Sequence, residues 1–428
     1  MRKTRDAFVF GFAIFAAFFG AGNLILPPYL GWNAGSDWLP VMLGFALSST
    51  VIPLLALLGH ARIQGTMLDF GNKVSPLFSL LFCICIYILV IALPSPRTAA
   101  VTHEMAIAPF FGSSALTTST VYFALAFIFA VNRGRILEVL GKYLTPIIGL
   151  ILLAIIGIGS FANPMPQVSG GSSSPVIEGF LEGYQTYDAI AGLLTGGIVV
   201  ISVNQWKGSW SFAERKAFIA SSSFVAMLGL MLIYGGMISL GARYQGEFGA
   251  ETTRTALLTA LAERTLGGYG SAFLAVLVAL ACFTTVVSII VGTSDFFKGI
   301  FGGSKKSYVV SALLCSLAGV AMGQFDVSFI IDVAVPLLIF MYPICIVLIL
   351  LNVIPVRFAS SKVFRAVVLV TFLFSIPDFI GQVFPGLSLG PVHAALPLAS
   401  SGMAWVLPSL ITFLWMNRKL FFRPKQGT

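Results

Sequence analysis

"FFGAGNLILPPYLG", residues 18–31, decides how this chain is read. From Ala7 to Phe19 the sequence is an apolar run that a bilayer would accept as helix. Gly20, Ala21, Gly22 and Asn23 then arrive at mid-depth, and Pro27 and Pro28 follow one turn later. Hydrocarbon cannot hydrogen-bond the backbone groups that a break sets free. An interrupted span therefore persists only where it lines a protein-enclosed or water-filled cavity. Each break presents the carbonyls that end one half-helix and the amides that open the next. Those ends favour a cation and a carboxylate respectively, which suits a zwitterion such as an amino acid with a cation bound nearby. Glycines at 20 and 22 also serve close helix packing, and this stretch alone leaves both uses open.

The surrounding composition fixes the class. Of 428 residues, 57% are hydrophobic and 10% charged, and the mean hydropathy is +0.96. That composition belongs to an all-α integral membrane protein. A span needs about 20 apolar residues, at roughly 1.5 Å rise each across a core of about 30 Å. Scanned this way, the chain yields twelve spans: 7–31, 38–59, 75–101, 116–131, 143–162, 178–203, 217–241, 269–297, 308–323, 327–354, 363–384 and 392–416. Residues 1–428 form a single transmembrane domain, with no connection long enough for a globular one. The first span has a signal-peptide-like start, but eleven more spans follow, so an uncleaved first helix is expected.

The net charge of +9 reports topology rather than a nucleic-acid partner. With the N-terminus in the cytoplasm, every basic residue except Arg97, Arg243, Arg254 and Arg264 falls on the inner side, and both termini are cytoplasmic. Cys83, Cys85, Cys282, Cys315 and Cys345 all lie inside apolar spans and read as buried thiols. Neither a disulfide framework nor a zinc site is expected, and His60, His103 and His393 are scattered near span ends. Two connections read as loops: "NPMPQVSGGSSSP" (163–175), and residues near 242–267, where "TALLTALAERTL" predicts a short amphipathic helix on the outer face.

A second interrupted span lies five helices after the first. "EGFLEGYQTYDAIAGLLTGGIVVISV" (178–203) packs glycines, two tyrosines, Thr186 and Asp188 into its middle. Five is odd, so the two broken spans run in opposite directions. Paired breaks in oppositely oriented halves point to an inverted-repeat transporter and to a site between the breaks. A carboxylate at mid-bilayer costs about 2.5–3.5 kcal/mol on insertion scales, so Asp188 carries a function by default. Capping the amides that open the second half-helix is one; coordinating a cation or carrying a proton is the other. Arg97 and Asp332 are candidates for an ion pair or gate, outside the core site. Asp378 is placed near the outer end of the eleventh span.

"FFGAGNLILPP", followed by "PRTAA" (96–100) and "GYQTYDAIAG", resembles the bacterial branched-chain amino acid:cation symporter family, over nearly the whole chain. That family sits in the amino acid–polyamine–cation superfamily. The resemblance implies a LeuT-like five-plus-five inverted repeat, here 7–163 and 178–354, with 363–416 as two added helices. It implies uptake of leucine, isoleucine and valine driven by a sodium or proton gradient, with no organic cofactor, in the bacterial inner membrane. The same fold carrying another amino acid is the alternative. By similarity to sodium-dependent relatives, the ion site comprises backbone carbonyls of Ala16, Phe19 and Ala281 and the hydroxyls of Thr284 and Thr285, an oxygen set suited to a hard cation. Those threonines could equally bond back to their own helix. Gly20, Ala21, Gly22, Asn23, Tyr184, Thr186 and Asp188 form the expected substrate site, with the carboxylate on the amides of Gly22–Leu24 and the ammonium near the carbonyls of Phe18 and Tyr184.

Two other classes fit poorly. An intramembrane aspartyl protease needs two carboxylates sharing one water; "TYD" (186–188) offers half of that pair, and no Gly-x-Gly-Asp follows. A channel needs a continuous polar lining, whereas the polar residues here gather at two breaks.

Overall fold

The computed structural model describes residues 2–132, 135–162, 168, 170–384 and 397–421. The first span is indeed two helices, α1 (Arg2–Phe18) and α2 (Ala21–Ala34), with axes 76° apart. Only Phe19 and Gly20 intervene, and Gly20 is extended, at φ −119° and ψ −175°. Pro27 and Pro28 sit inside α2, where they cannot donate to the carbonyls of Asn23 and Leu24.

The second span is α3 (Trp38–Ala46) and α4 (Ile52–Ile63), joined through a π turn at Leu47–Val51. After the short α5 (Met67–Gly71) comes the third span. It is α6 (Pro76–Ala92) and α7 (Pro94–Thr102), extended through a second π turn at His103–Ile107 into α8 (Ala108–Phe111). Then follow α9 (Ala115–Asn132) and α10 (Arg135–Ala162). The sixth span is α11 (Pro175–Glu182), a 3-10 turn at Gly183–Thr186, and α12 (Asp188–Trp206). The rest of the bundle is α13 (Phe212–Arg243), α14 (Arg254–Ile300), α15 (Lys305–Met322), α16 (Val327–Val353), α17 (Ser361–Val383) and α18 (Val406–Phe421).

Among the described residues nine helices are long and apolar enough to cross a membrane, or ten with α1 and α2 taken as one bent span. The two expected spans below that limit are α10, whose apolar part is Pro146–Phe161, and α18. The last span starts at Val406 rather than at 392; residues 397–405 are turns and a 3-10 turn, and 385–396, with His393, lie outside the described residues. The expected outer helix exists as the first arm of α14, which ends where Gly267 turns the chain at φ 74°. Its Leu257, Leu258, Leu261 and Ala262 are buried, as amphipathic spacing requires. Of the loop 163–175, residues 163–167 and 169 are outside the described residues.

Packing brings the breaks together. Both α1 and α2 run along α13, while α11 and α12 run along α3 and α4. These approaches are close: a Cβ on Gly31 would sit 1.8 Å from the Ile238 carbonyl oxygen, and one on Gly179 would sit 1.9 Å from that of Val41. With each broken span clamped to a continuous one, the two interruptions face each other and α14 crosses beside them, against α2 and α7.

Candidate substrate and ion site

A cavity of about 620 Å³ reaches both breaks. That falls within the roughly 300–1,000 Å³ of small-molecule sites. From the first break Phe18, Phe19, Gly20, Gly22 and Asn23 line it, and from the second Thr186, Tyr187 and Asp188. Arg97 and Thr98 of α7 and Ala281, Thr284 and Thr285 of α14 complete the polar wall. Tyr87, Val90, Pro94, Ile190, Leu194 and Ile289 supply an apolar wall that sequence reasoning left unassigned. The cavity continues between α1 and α12 as far as Phe10 and Ser202. At that end Lys207 Nζ pairs with Asp6 at 2.9 Å, tying the start of α1 to the segment after α12.

Three side chains from three spans lock the breaks together. The Asn23 amide nitrogen lies 3.1 Å from the Phe18 carbonyl oxygen and 3.0 Å from Asp188 Oδ1, and it also donates to the Tyr234 hydroxyl. Tyr234, from α13, in turn donates to Asp188 Oδ2 at 2.8 Å. Asn23 and Asp188 are 2% and 1% exposed. A buried carboxylate with two donors is the well-satisfied case. The amide of Asp188 goes elsewhere: it donates to the Thr186 hydroxyl at 3.2 Å, and that hydroxyl donates to the Gly183 carbonyl at 2.8 Å. Thr186, rather than Asp188, is therefore the side chain that caps this break, and the Asp188 carboxylate is free of that duty. Tyr234 was missed because nothing in "LIYGGM" marks a tyrosine hydroxyl as pointing at a carboxylate 46 residues away.

Tyr184 lies off the cavity. Its ring stacks on Tyr342 at 4.2 Å, and its carbonyl accepts from the Tyr187 amide at 3.0 Å. Its neighbour Tyr187 takes the left-handed conformation, φ 62°, and faces the cavity instead. Ala21 is the first residue of α2. The other expected substrate residues, Gly20, Gly22, Asn23, Thr186 and Asp188, all line the cavity.

The five expected ion ligands, Ala16, Phe19, Ala281, Thr284 and Thr285, line the same cavity. A Cβ placed on Gly20 would lie 3.8 Å from Thr285 Oγ1, so α14 directly faces the first break. Thr284 and Thr285 each donate to the Ala281 carbonyl at 2.9 Å, the back-bonding typical of membrane threonines. Both hydroxyls keep lone pairs for a cation, while the Ala281 carbonyl has both of its own engaged. Among the described residues no group of three His, Cys, Asp or Glu side chains is placed to hold a metal ion.

Arg97 lines the cavity, with Nη1 donating to the Gln185 carbonyl at 2.9 Å and the guanidinium 5.1 Å from the Tyr187 ring centre. Among the described residues no acidic side chain forms an ion pair with it, and Asp332 is exposed on α16. Asp378 is buried on α17 and accepts from the Ala404 amide at 3.0 Å. On the side away from Phe10 and Ser202, Glu104 accepts from the Thr255 hydroxyl at 2.5 Å and from the Val327 amide at 2.9 Å, joining the third span to α14 and α16.

Comparison with known proteins bears on the family and the fold. The family model described as branched-chain amino acid transport protein matches residues 3–419. The branched-chain amino acid transport system 2 carrier protein of Pseudomonas aeruginosa is 34% identical over 421 residues, covering 96% of this chain and 95% of that protein. The branched-chain amino acid permease BraB of Bacillus subtilis is 32% identical, covering 95% and 94%. Among solved structures, Mhp1, a nucleobase-cation-symport-1 family transporter in a closed conformation, matches with a TM-score of 0.63 at 12% identity, over 96% of this chain and 93% of that one. MhsT in complex with L-phenylalanine matches with a TM-score of 0.54 at 16% identity, covering 94% and 97%. These structural matches bear on the fold, an all-helical LeuT-like architecture. On the full-length family match and the relatives above 30% identity, the chain belongs to the branched-chain amino acid transport protein family.

Proposed function

We propose that the protein imports leucine, isoleucine and valine across the bacterial inner membrane by alternating access, in symport with sodium and with both termini in the cytoplasm. The observation that carries this reading is the single cavity shared by both breaks. One end offers helix amides and a guanidinium for a carboxylate, the middle offers carbonyl and hydroxyl oxygens for a cation, and the remaining wall is aliphatic and aromatic. The relatives' names supply the substrate class. In the proposed topology the cavity extends toward the cytoplasm at Phe10 and Ser202, while Glu104 fastens the outer side through Thr255 and Val327. That is an inward-facing arrangement. In the outward-facing one the Glu104 contacts part and α1 closes against α12. The repeats 7–163 and 178–354 each contribute spans to both moving parts, since α1 and α2 pack on α13 while α11 and α12 pack on α3 and α4, with 363–416 outside them.

Sodium is the second cargo, held by Ala16, Phe19, Thr284, Thr285 and, once those hydroxyls turn from it, the Ala281 carbonyl. Proton coupling is the rival reading, and the buried Asp188 carboxylate on the cavity wall favours it. Labelled leucine, isoleucine and valine uptake into proteoliposomes, with sodium and proton gradients imposed separately, tests both. Saturable uptake that follows the sodium gradient is expected. Uptake that ignores sodium and follows protons would move coupling to Asp188, and an ohmic current without saturation would make the protein a channel.

A further inference from the structure

We propose that Arg97 is the residue that reads the substrate carboxylate, and that Gly22 of the first break is glycine so that Arg97 can reach it. The inference deepens the substrate site proposed above. Three observations meet at one point. Arg97 is 4% exposed, lies on the cavity wall, and among the described residues has no acidic partner, with its Nε buried and unbonded. A Cβ on Gly22 would sit 2.2 Å from Arg97 Nη2 and 3.0 Å from its Cζ, so the guanidinium is in close contact with the opening turn of α2. The carbonyl of Gln185, in the second break, holds Nη1 at 2.9 Å and the Tyr187 ring lies beside it at 5.1 Å, fixing the fork's orientation.

A buried positive charge without a direct ion-pair partner inside a membrane protein is costly to keep, and such groups pair with something during function. The partner that fits is a planar anion able to bridge a guanidinium fork and helix-opening amides, which describes an α-carboxylate. Nearby Asp188 is engaged by Asn23 and Tyr234, so it does not compete for the fork. The motifs "GAGN" and "PRT" thus act as one unit. The irregular backbone at Leu93, ahead of Pro94 and Pro96, opens α7, on whose first turn Arg97 sits.

The test compares leucine with leucinol, which keeps the amine and side chain but lacks the carboxylate. The readout is ligand-induced rise in Tm of the purified full-length protein, which does not require transport. For the wild type, leucinol should be at least about 100-fold weaker than leucine. In Arg97→Lys, which keeps the charge but loses the fork, leucine should weaken about 10- to 100-fold. Leucinol should hold its value, so the ratio collapses. Gly22→Ala, whose methyl displaces the guanidinium, should narrow the ratio in the same direction and serves if the Lys variant does not assemble. Leucine and leucinol weakening together would show that Arg97 only braces the two breaks, and would overturn the proposal. So would a wild type that binds both equally. A wild type that ignores leucine but binds another amino acid would refute the branched-chain reading, while that acid and its amino alcohol would still decide Arg97.

Discussion

The two breaks are built on opposite plans. The first is two residues long and extended at Gly20, and both of its glycines line the cavity, Gly20 opposite Thr285 and Gly22 against Arg97. The second is a tight 3-10 turn ending in a left-handed tyrosine, and its glycines face neighbouring helices. A Cβ on Gly183 would meet Ser48 Oγ at 1.9 Å, and Gly192 sits against Ala56. A left-handed non-glycine residue costs about 1–2 kcal/mol, and at Tyr187 it is borne inside a turn packed by Tyr184 and Tyr342. In the proposed function the first break provides the space for cargo, and the second provides fixed polar anchors.

The largest effects should separate these plans. Gly22→Leu should abolish leucine uptake while leaving the protein inserted and folded, because the atoms it strikes hardest belong to the Arg97 side chain, with the Gln185 carbonyl oxygen farther off at 3.3 Å. Gly179→Leu strikes backbone, the Val41 carbonyl oxygen at 1.9 Å and the Phe45 amide nitrogen at 3.0 Å, so it should instead fail in assembly. Monodispersity on size exclusion alongside uptake distinguishes the two. Wild-type uptake by Gly22→Leu would remove the substrate from the first break.

Asp188→Asn comes next. The amide oxygen can accept only part of what two donors, Asn23 and Tyr234, give the carboxylate, and its NH2 faces them as a like donor. A hydrogen bond to a charged group is worth about 1.5–3 kcal/mol, so uptake should fall about 10- to 100-fold with normal insertion. Intact uptake would restore a purely structural role.

Thr284→Val and Thr285→Val keep shape and delete one oxygen each. By the same 1.5–3 kcal/mol, each should raise the sodium concentration for half-maximal uptake about 10- to 100-fold. Apparent leucine affinity should recover at saturating sodium, since coupling between sites is reciprocal. Unchanged sodium dependence would remove the ions from α14.

The smallest effect belongs to the second break. Among the described residues the buried Tyr184 hydroxyl has no hydrogen-bond partner, so Tyr184→Phe should change uptake by less than about twofold. Tyr234→Phe, which strips a donor from Asp188, should cost several-fold more. If Tyr184→Phe proves the more damaging, the second break holds substrate after all.

The architecture was legible because its signals are local: apolar run length, glycine density at mid-span, and the odd offset of five spans from one break to the other. Gly20, Gly22, Asn23, Thr186 and Asp188 were visible for the same reason, as polar or small residues where hydrocarbon is expected. Tyr184 and Tyr187 could not be told apart, because which tyrosine faces inward depends on the left-handed turn at Tyr187. Arg97 was set aside as a gate candidate, and Tyr234 was overlooked; both matter through contacts across spans, with Gly22 and Asp188, that no single stretch encodes. The start of α18 was misplaced because the turns before it are nearly as apolar as the helix.

The central claim is that the cavity between the breaks is the substrate site. An experimental structure of the purified protein with leucine bound tests it most directly. The expected result is leucine with its carboxylate on the Arg97 guanidinium, beside the opening turn of α2, and its side chain among Tyr87, Val90 and Ile190. Leucine bound away from both breaks, or with its carboxylate turned from Arg97 toward α14, would contradict it.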